Sequence, residues 1–179
     1  MVRCFIGIFL PDGLKANAVK IQNIIASSDA ECKLVECENM HITLSFLGEI
    51  DGNRADEIGR LLDGILAKYK KFNVSIAGIK FIPNRDFIRV IALDVIDESG
   101  VLGKISDEIK ANIGGDVKPP HFTLCRLRSP AGKQNVVSRL LDADSHCGEL
   151  FIDSVDLIKS ELKRDGPVYT SAHKTKLAD

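Results

Sequence analysis

The sequence predicts an α+β protein of two pseudo-symmetric lobes, with helices packed on one face of each sheet. Two observations carry this prediction. Helical and strand-like segments follow one another in the order helix, strand, helix and two strands, and that order occurs twice in 179 residues. The four-residue pattern His-x-Thr-Leu occurs once in each copy, at residues 41–44 and 121–124. No linker separates the copies, so residues 1–179 are expected to form a single bilobal domain.

The first copy follows an opening strand that is rich in β-branched and aromatic residues. Its two helices begin at Asp12 and near Asn53, because apolar residues recur from there at helical spacing. The apolar stripes of these helices contain Leu14, Ala18, Ile21 and Ile25, and then Ile58, Leu61, Leu62, Ile65 and Leu66. The strands predicted up to this point span residues 3–9, 41–47, 72–79 and 87–95.

The second copy repeats these elements in the same order. Ser99 is expected to cap a helix that ends at Gly114-Gly115, and a strand follows at residues 121–127. A short helix then carries Val136, Val137, Leu140 and Leu141 on its apolar side. Two closing strands are predicted near residues 150–161 and 167–176.

Composition describes an ordinary globular protein and excludes some functions. Hydrophobic residues make up 45% of the chain and charged residues 27%, which is enough apolar surface for a real core. The formal net charge of −1 argues against coating long nucleic acids, which requires the neutralisation of many phosphates. It permits the binding of one phosphate at a nucleic-acid end. No apolar run is long enough to cross a bilayer, so no membrane partner is expected.

The cysteines indicate a reducing compartment. They are five in number, form no CxxC pair and follow no secretory leader, so reduced thiols in the cytoplasm are expected. A zinc site built from Cys32, Cys37 and His41 is disfavoured, because the spacing matches no common zinc pattern and a fourth ligand is missing. No glycine-rich phosphate loop is visible either, and the sequence therefore predicts no metal and no cofactor.

The two His-x-Thr-Leu patterns are the strongest functional signal. Half of the four histidines and half of the four threonines fall at equivalent places in the duplicated arrangement. Side chains alternate along a strand, so each histidine shares a face with the threonine two residues later, and the apolar neighbours share the other. Opposing the two polar faces would create a groove lined by two imidazoles and two hydroxyls.

Such a groove suits phosphoryl transfer by general acid–base catalysis. Imidazole titrates near neutrality, so one histidine can act as a neutral base while the other is a protonated acid. The hydroxyls of Thr43 and Thr123 can donate to the non-bridging phosphate oxygens, where charge must be held. A single histidine on a sheet is more often a partly buried residue bonded to a neighbour, but the symmetric pair His41 and His121 favours function over that interpretation.

Sequence around these motifs resembles the two-histidine (2H) phosphoesterase superfamily, and within it the LigT-like RNA 2′,3′-cyclic phosphodiesterases. The resemblance covers nearly the full chain. Its matching segments are Arg3–Ile6, Glu38–Glu49, Pro120–Arg126, Ser160–Leu162 and Gly166–Tyr169. It implies a bilobal fold with an antiparallel sheet in each lobe, helices on the outer faces and an active-site groove between the lobes.

The same resemblance implies a reaction, namely metal-free opening of terminal 2′,3′-cyclic phosphates to 2′-phosphates. His41 would give a proton to the leaving 3′ oxygen, and His121 would accept a proton from water. Some members of the family also join tRNA halves through a 2′,5′ linkage. Members often carry a tryptophan a few residues before the first motif, whereas this chain has no Trp, so a stacking platform for a base would be either absent or supplied by Phe46, Phe81 or Tyr169.

The expected partners are RNA ends or small cyclic nucleotides, bound by a monomeric protein. An ADP-ribose cyclic phosphate or a 2′,5′-linked oligonucleotide is an alternative substrate. A non-catalytic module that binds RNA ends is an alternative from another class. Both His-x-Thr motifs are intact, which disfavours such a module, because a binder has no need of two acid–base groups.

Several residues have weaker claims to the site. Arg126 follows the second motif and could hold phosphate, although strict alternation places it on the face opposite His121 unless the strand bends. The same alternation places Cys125 on the face of His121, where nothing marks it as a nucleophile. Candidate contacts to an RNA backbone are Arg3, Lys80, Arg85, Arg89 and Arg128.

Overall fold

The structure, a computed structural model, describes residues 1–164 and 166–179, and within these ranges it has nine strands and four helices. The strands are β1 (Val2–Phe9), β2 (Cys32–Leu34), β3 (His41–Ile50), β4 (Phe72–Pro83), β5 (Ile88–Ile96), β6 (His121–Leu127), β7 (Gly148–Ile152), β8 (Ser154–Lys163) and β9 (Gly166–Lys176). The helices are α1 (Asp12–Ala26), α2 (Gly52–Leu66), α3 (Val101–Asn112) and α4 (Lys133–Asp142). The predicted α+β class is confirmed.

The strands form one curled antiparallel sheet in the order β7-β4-β5-β6-β3-β1-β8-β9, with β2 paired beside β6. Its two central strands, β3 and β6, begin with the two histidines. Among the described residues these strands share a single register pair, Ile42 opposite Phe122. They therefore separate on leaving that point, and the sheet divides into a β3 lobe (β3, β1, β8, β9) and a β6 lobe (β6, β5, β4, β7).

The two lobes do not coincide with the two sequence copies. Strands β4 and β5 belong to the first copy but extend the sheet from β6, and β8 and β9 belong to the second copy but extend it from β3 through β1. The helices are exchanged as well: α1 and α4 pack together on the β6 lobe, and α2 and α3 on the β3 lobe. Each lobe is thus completed by segments from both sequence copies.

Amphipathic helices cover the sheet and bury one continuous core. The predicted stripes of α1 and α2 face inward, with Ile21, Ile25, Ile58 and Leu62 at most 3% exposed. Burying an aliphatic side chain of this size stabilises the fold by roughly 1.5–3 kcal/mol. In the described part of the chain, no helix combines the length and apolar character needed to cross a membrane.

Three details differ from the sequence-based expectation. The predicted strand at residues 150–161 is two strands, since the chain leaves β7, which pairs with β4, and enters β8, which pairs with β1. The short strand β2 was not predicted, because three residues carry no readable periodicity and its partner β6 supplies the pairing. Helix α3 begins at Val101, and the Asp97 carboxylate, rather than Ser99, accepts the amide of Leu102 at 2.7 Å.

Candidate active site

Strands β3 and β6 carry the same irregularity at the same place in the motif. Along β1, Ile6 faces Ser45 and Gly7 faces Thr43, so Leu44 is an extra residue in β3. Along β5, Ile91 faces Cys125 and Ala92 faces Thr123, so Leu124 is the extra residue in β6. A β-bulge of this kind reverses the alternation of side chains beyond it. The motif is therefore duplicated in backbone geometry as well as in sequence.

The bulge decides the position of Arg126 and corrects that of Cys125. Strict alternation placed Cys125 on the face of His121, but the structure buries it completely in the core, where burial and the neighbouring Cys32 thiol raise its pKa to about 12. Arg126 returns to the face of His121 and lines the cleft. In β3 the same shift buries Ser45 and leaves Phe46 46% exposed on the cleft side.

Close packing at the first bulge explains the glycine opposite Thr43. A Cβ atom added to Gly7 would lie 2.4 Å from the carbonyl oxygen of Ile42, so no larger residue fits there without moving the backbone. Ala92 occupies the equivalent position opposite Thr123. The first motif thus depends on a glycine in the strand beside it.

His41 lies in an aromatic environment. Its ring centroid is 4.5 Å from that of Phe5 and 5.0 Å from that of Tyr169, which meets it edge-on. Its Nδ1 is 2.6 Å from the carbonyl oxygen of Asn39. Because a carbonyl oxygen can only accept a hydrogen bond, Nδ1 carries the ring proton and is the donor of this bond. Nε2 is then the nitrogen left to exchange protons with a substrate.

His121 is anchored in the same way but has different neighbours. Its Nδ1 donates to the carbonyl oxygen of Pro119 at 2.8 Å, again two residues earlier in the chain. Asp94 is its register partner on β5, and the Asp94 carboxylate binds the Lys80 ammonium at 2.5 Å. The two imidazoles therefore present the same atom to the cleft in two different electrostatic settings.

Both histidines favour the neutral form when no anion is bound. Burial lowers the pKa of His41 to about 4; the hydrogen bond to Asn39 opposes this shift, and the charge of Arg126 adds to it. Burial also lowers the pKa of His121, with Lys80 and Arg126 acting in the same direction and Asp94 against it. A proton on either ring must therefore be favoured by a negatively charged ligand.

A cleft of about 760 Å³ brings the predicted site residues together. Its lining includes His41, Thr43, His121, Thr123 and Arg126, and also the three stacking candidates Phe46, Phe81 and Tyr169. Of the five basic residues proposed as RNA contacts, Lys80 is the one found among its described lining residues. Sequence reasoning missed Lys33, Glu36, Asn39 and Lys118, which also line it. The position of Asn39, two residues before His41, is the signal in the sequence that could have identified it as a site residue.

The cleft is cationic although the chain as a whole is not. Three of its four cations are paired with carboxylates: Lys33 with Glu36 at 3.9 Å, Lys80 with Asp94 at 2.5 Å and Lys118 with Asp116 at 2.9 Å. Within residues 1–164 and 166–179, Arg126 has no such partner. Its guanidinium is free to meet an anion between the two histidines.

The disfavoured zinc site has no geometric support among the residues that the structure describes. There, no three His, Cys, Asp or Glu side chains, Cys32, Cys37 and His41 among them, lie close enough together to hold a metal ion. Cys32 lies beside Cys125 instead.

Comparison with known proteins gives consistent matches. Residues 8–92 match the family model described as LigT like phosphoesterase. A Methanothermobacter thermautotrophicus protein named RNA 2′,3′-cyclic phosphodiesterase is 30% identical over 177 residues, which cover 94% of this chain and 95% of that protein. An Aeropyrum pernix protein of the same name is 31% identical over 167 residues, covering 89% and 94% of the two chains.

Solved structures share the fold over the whole chain. A crystal structure of a Thermus thermophilus protein superposes with a TM-score of 0.79 at 25% identity, covering 98% of this chain and 97% of that one. Escherichia coli LigT in complex with 3′-AMP superposes with a TM-score of 0.80 at 19% identity, covering 99% of each chain. At that lower identity the likeness establishes the fold.

Proposed function

This chain belongs to the LigT-like family of RNA 2′,3′-cyclic phosphodiesterases, and from that premise we propose that its cleft opens the terminal 2′,3′-cyclic phosphate of RNA to a 2′-phosphate. One observation carries the proposal. Two His-x-Thr motifs, bulged alike and each anchored through Nδ1 to the carbonyl two residues earlier, line one cleft. Two anchored imidazoles with Nε2 atoms left free are what paired proton transfer requires.

The proposed reaction assigns one proton transfer to each imidazole. Nε2 of His121 takes a proton from water while the water oxygen bonds to phosphorus. The bond from phosphorus to the 3′ oxygen breaks, and Nε2 of His41 gives its proton to that oxygen. A 2′-phosphate and a 3′-hydroxyl result, and solvent then resets the two rings. Family membership supports His41 as the acid and His121 as the base. No step requires a metal ion.

Substrate binding provides the charge that His41 needs to act as an acid. With a pKa of about 4, its ring is neutral at physiological pH when no anion is bound. A phosphodiester anion about 4 Å from the ring interacts with its positive charge by about 4 kcal/mol at an effective dielectric constant of about 20. That energy corresponds to a rise of about 3 pKa units, which brings His41 near neutrality.

Three further residues are proposed to hold the phosphate. Thr43 and Thr123 lie on the cleft side, each two residues beyond a histidine, where their hydroxyls can donate to non-bridging oxygens. Arg126, the cleft cation without a described carboxylate partner, can give paired hydrogen bonds to the same oxygens. Together they would offset the negative charge that grows on phosphorus oxygens in the transition state.

The test is turnover of an RNA oligonucleotide that ends in a 2′,3′-cyclic phosphate, with identification of the product, alongside mononucleotide cyclic phosphates. Wild-type protein should release the 2′-phosphate, and His41→Ala and His121→Ala should each lower kcat by about a hundredfold or more. The double variant should lose little beyond the single ones, because both residues act in one step. His146→Ala, at an exposed loop position, is the control. A folded His121→Ala protein with normal turnover would remove the base assignment.

A further inference from the structure

We propose that Asn39 is a positioning residue that fixes the orientation of His41, an inference that rests on the proposed function. The carbonyl of Asn39 accepts a hydrogen bond from the imidazole, and the side chain of Asn39 ties that carbonyl to strand β9. Asn39 ends a short 3-10 turn, Cys37–Asn39, which Met40 separates from the start of β3. It exchanges no proton with the substrate in the proposed reaction. Its main-chain carbonyl and its side-chain amide contact two parts of the chain that are far apart in sequence.

Two hydrogen bonds place Asn39 between His41 and the carboxyl-terminal strands. Its main-chain oxygen accepts a hydrogen bond from Nδ1 of His41 at 2.6 Å. Its side-chain Nδ2 donates to the carbonyl oxygen of Pro167 at 2.8 Å, across 128 residues of sequence. A longer contact joins the same Nδ2 to the Glu36 carboxylate at 3.4 Å. The peptide that orients the imidazole is thus held from β9.

The equivalent peptide before His121 needs no such tether. Its acceptor belongs to Pro119, which is followed by Pro120, and the two pyrrolidine rings restrict the rotation of that backbone. The peptide between Asn39 and Met40 contains no proline, and the bond from the Met40 amide to the Cys37 carbonyl is long, at 3.3 Å. Main-chain bonds of 2.9 Å flank this peptide, from the Asn39 amide to the Glu36 carbonyl and from the Leu10 amide to the Met40 carbonyl, and the side-chain tether adds a bond that ties it to β9.

Strand β9 contacts the ring as well as its acceptor. Tyr169 follows Pro167 by two residues and meets His41 edge-on with ring centroids 5.0 Å apart. Through Asn39, the start of β9 fixes the hydrogen-bonded side of the imidazole while Tyr169 packs against the ring. Nε2 is thereby held in one direction. Loss of the tether should impair proton delivery more than binding, because the phosphate contacts come from other residues.

The experiment compares two variants with a matched control. Asn39→Asp keeps the shape of the side chain but replaces the donor by a carboxylate, which repels the Pro167 carbonyl, and Asn39→Ala removes the side chain. Asn17→Ala is the control: Asn17 Nδ2 also donates to a distant main-chain carbonyl, that of Cys147 at 2.9 Å across 130 residues, and it does not line the cleft. Both Asn39 variants should lower kcat about tenfold to a hundredfold with KM changed by less than about threefold, the scale of a misplaced catalytic group.

Proton NMR of the ligand-free protein gives a readout that is independent of activity. The Nδ1 protons of His41 and His121 are both hydrogen-bonded to carbonyls and should give protected downfield resonances. In the Asn39 variants the His41 resonance should broaden or disappear while that of His121 persists, and Asn17→Ala should retain both. This separates orientation of one imidazole from a general loss of stability.

Two outcomes would overturn the tether. One is an Asn39→Asp protein with both resonances and wild-type kcat. The other is an equal fall in kcat for Asn17→Ala. If wild-type protein fails to hydrolyse any cyclic phosphate, the proposed function is wrong, yet the resonances still decide whether Asn39 orients His41.

Discussion

Burial of His41 predicts a specific sensitivity of the fold to acid, which His41→Gln should remove. The pKa of His41 is about 4 in the folded protein, whereas an imidazole in an unfolded chain titrates near its ordinary value of about 6.5. The unfolded state therefore binds a proton more readily than the folded state. Stability from the neutral ring is present above about pH 6.5 and is lost as pH falls toward about 4.

The magnitude follows from the two pKa values. Linkage through this single group costs the folded state about 2 kcal/mol at about pH 5, well under about 1 kcal/mol near pH 7, and about 3 kcal/mol if pH falls well below both values. Glutamine at position 41 does not titrate. Between about pH 7 and about pH 5, the free energy of unfolding of the variant should therefore improve by about 2 kcal/mol relative to wild type.

Urea unfolding at the two pH values measures this difference. The buffers must contain no phosphate, because a bound anion would raise the pKa of His41 and hide the effect. His146→Gln controls for removing an exposed histidine, and its unfolding should follow that of wild type. If the stability difference between His41→Gln and wild type is the same at both pH values, His41 is not held neutral by burial.

Other predictions concern catalysis. The profile of kcat/KM against pH should be bell-shaped with limbs below about pH 6.5, since burial lowers both histidine pKa values in the free protein, and the kcat profile should lie at higher pH once substrate is bound. Turnover should survive exhaustive chelation; loss with EDTA that one divalent ion restores would contradict the proton-transfer mechanism. Cyclic-phosphate RNA should bind more tightly than a matched deoxy end, because the cyclic group needs a 2′ oxygen; equal affinities would indicate a generic phosphate binder. Thr43→Ala should lower kcat less than His41→Ala in the same assay, because it removes one hydrogen bond and leaves the proton path intact.

Much of the fold could be read from periodicity. The apolar stripes of α1 and α2 predicted helices that the structure contains, and the burial of Ile21 and Leu62 follows directly from their spacing. Pairing between lobes could not be read in this way. Which strands extend the β3 lobe beyond β1 depends on pairings such as that of β1 with β8, which lie about 150 residues apart and leave no local signal.

The site illustrates a second limit. Alternation correctly placed His121 and Thr123 on one face and Phe122 and Leu124 on the other. It failed at the next residue, Cys125, because one extra residue at Leu124 shifts the register. A bulge is defined by its register against the neighbouring strand, here β5, so the sequence of β6 alone does not reveal it.

Duplication supplies two equivalent imidazoles, but paired acid–base chemistry needs two that differ, since one must be charged while the other is neutral. The motifs cannot create that difference, because their backbones and their Nδ1 anchors match. It comes from the strands beside them. The register partner of His41 is Phe9, and that of His121 is Asp94, itself bound to Lys80. In the proposed reaction, the unequal roles of the two histidines therefore depend on their different neighbours from β1, β4, β5 and β9.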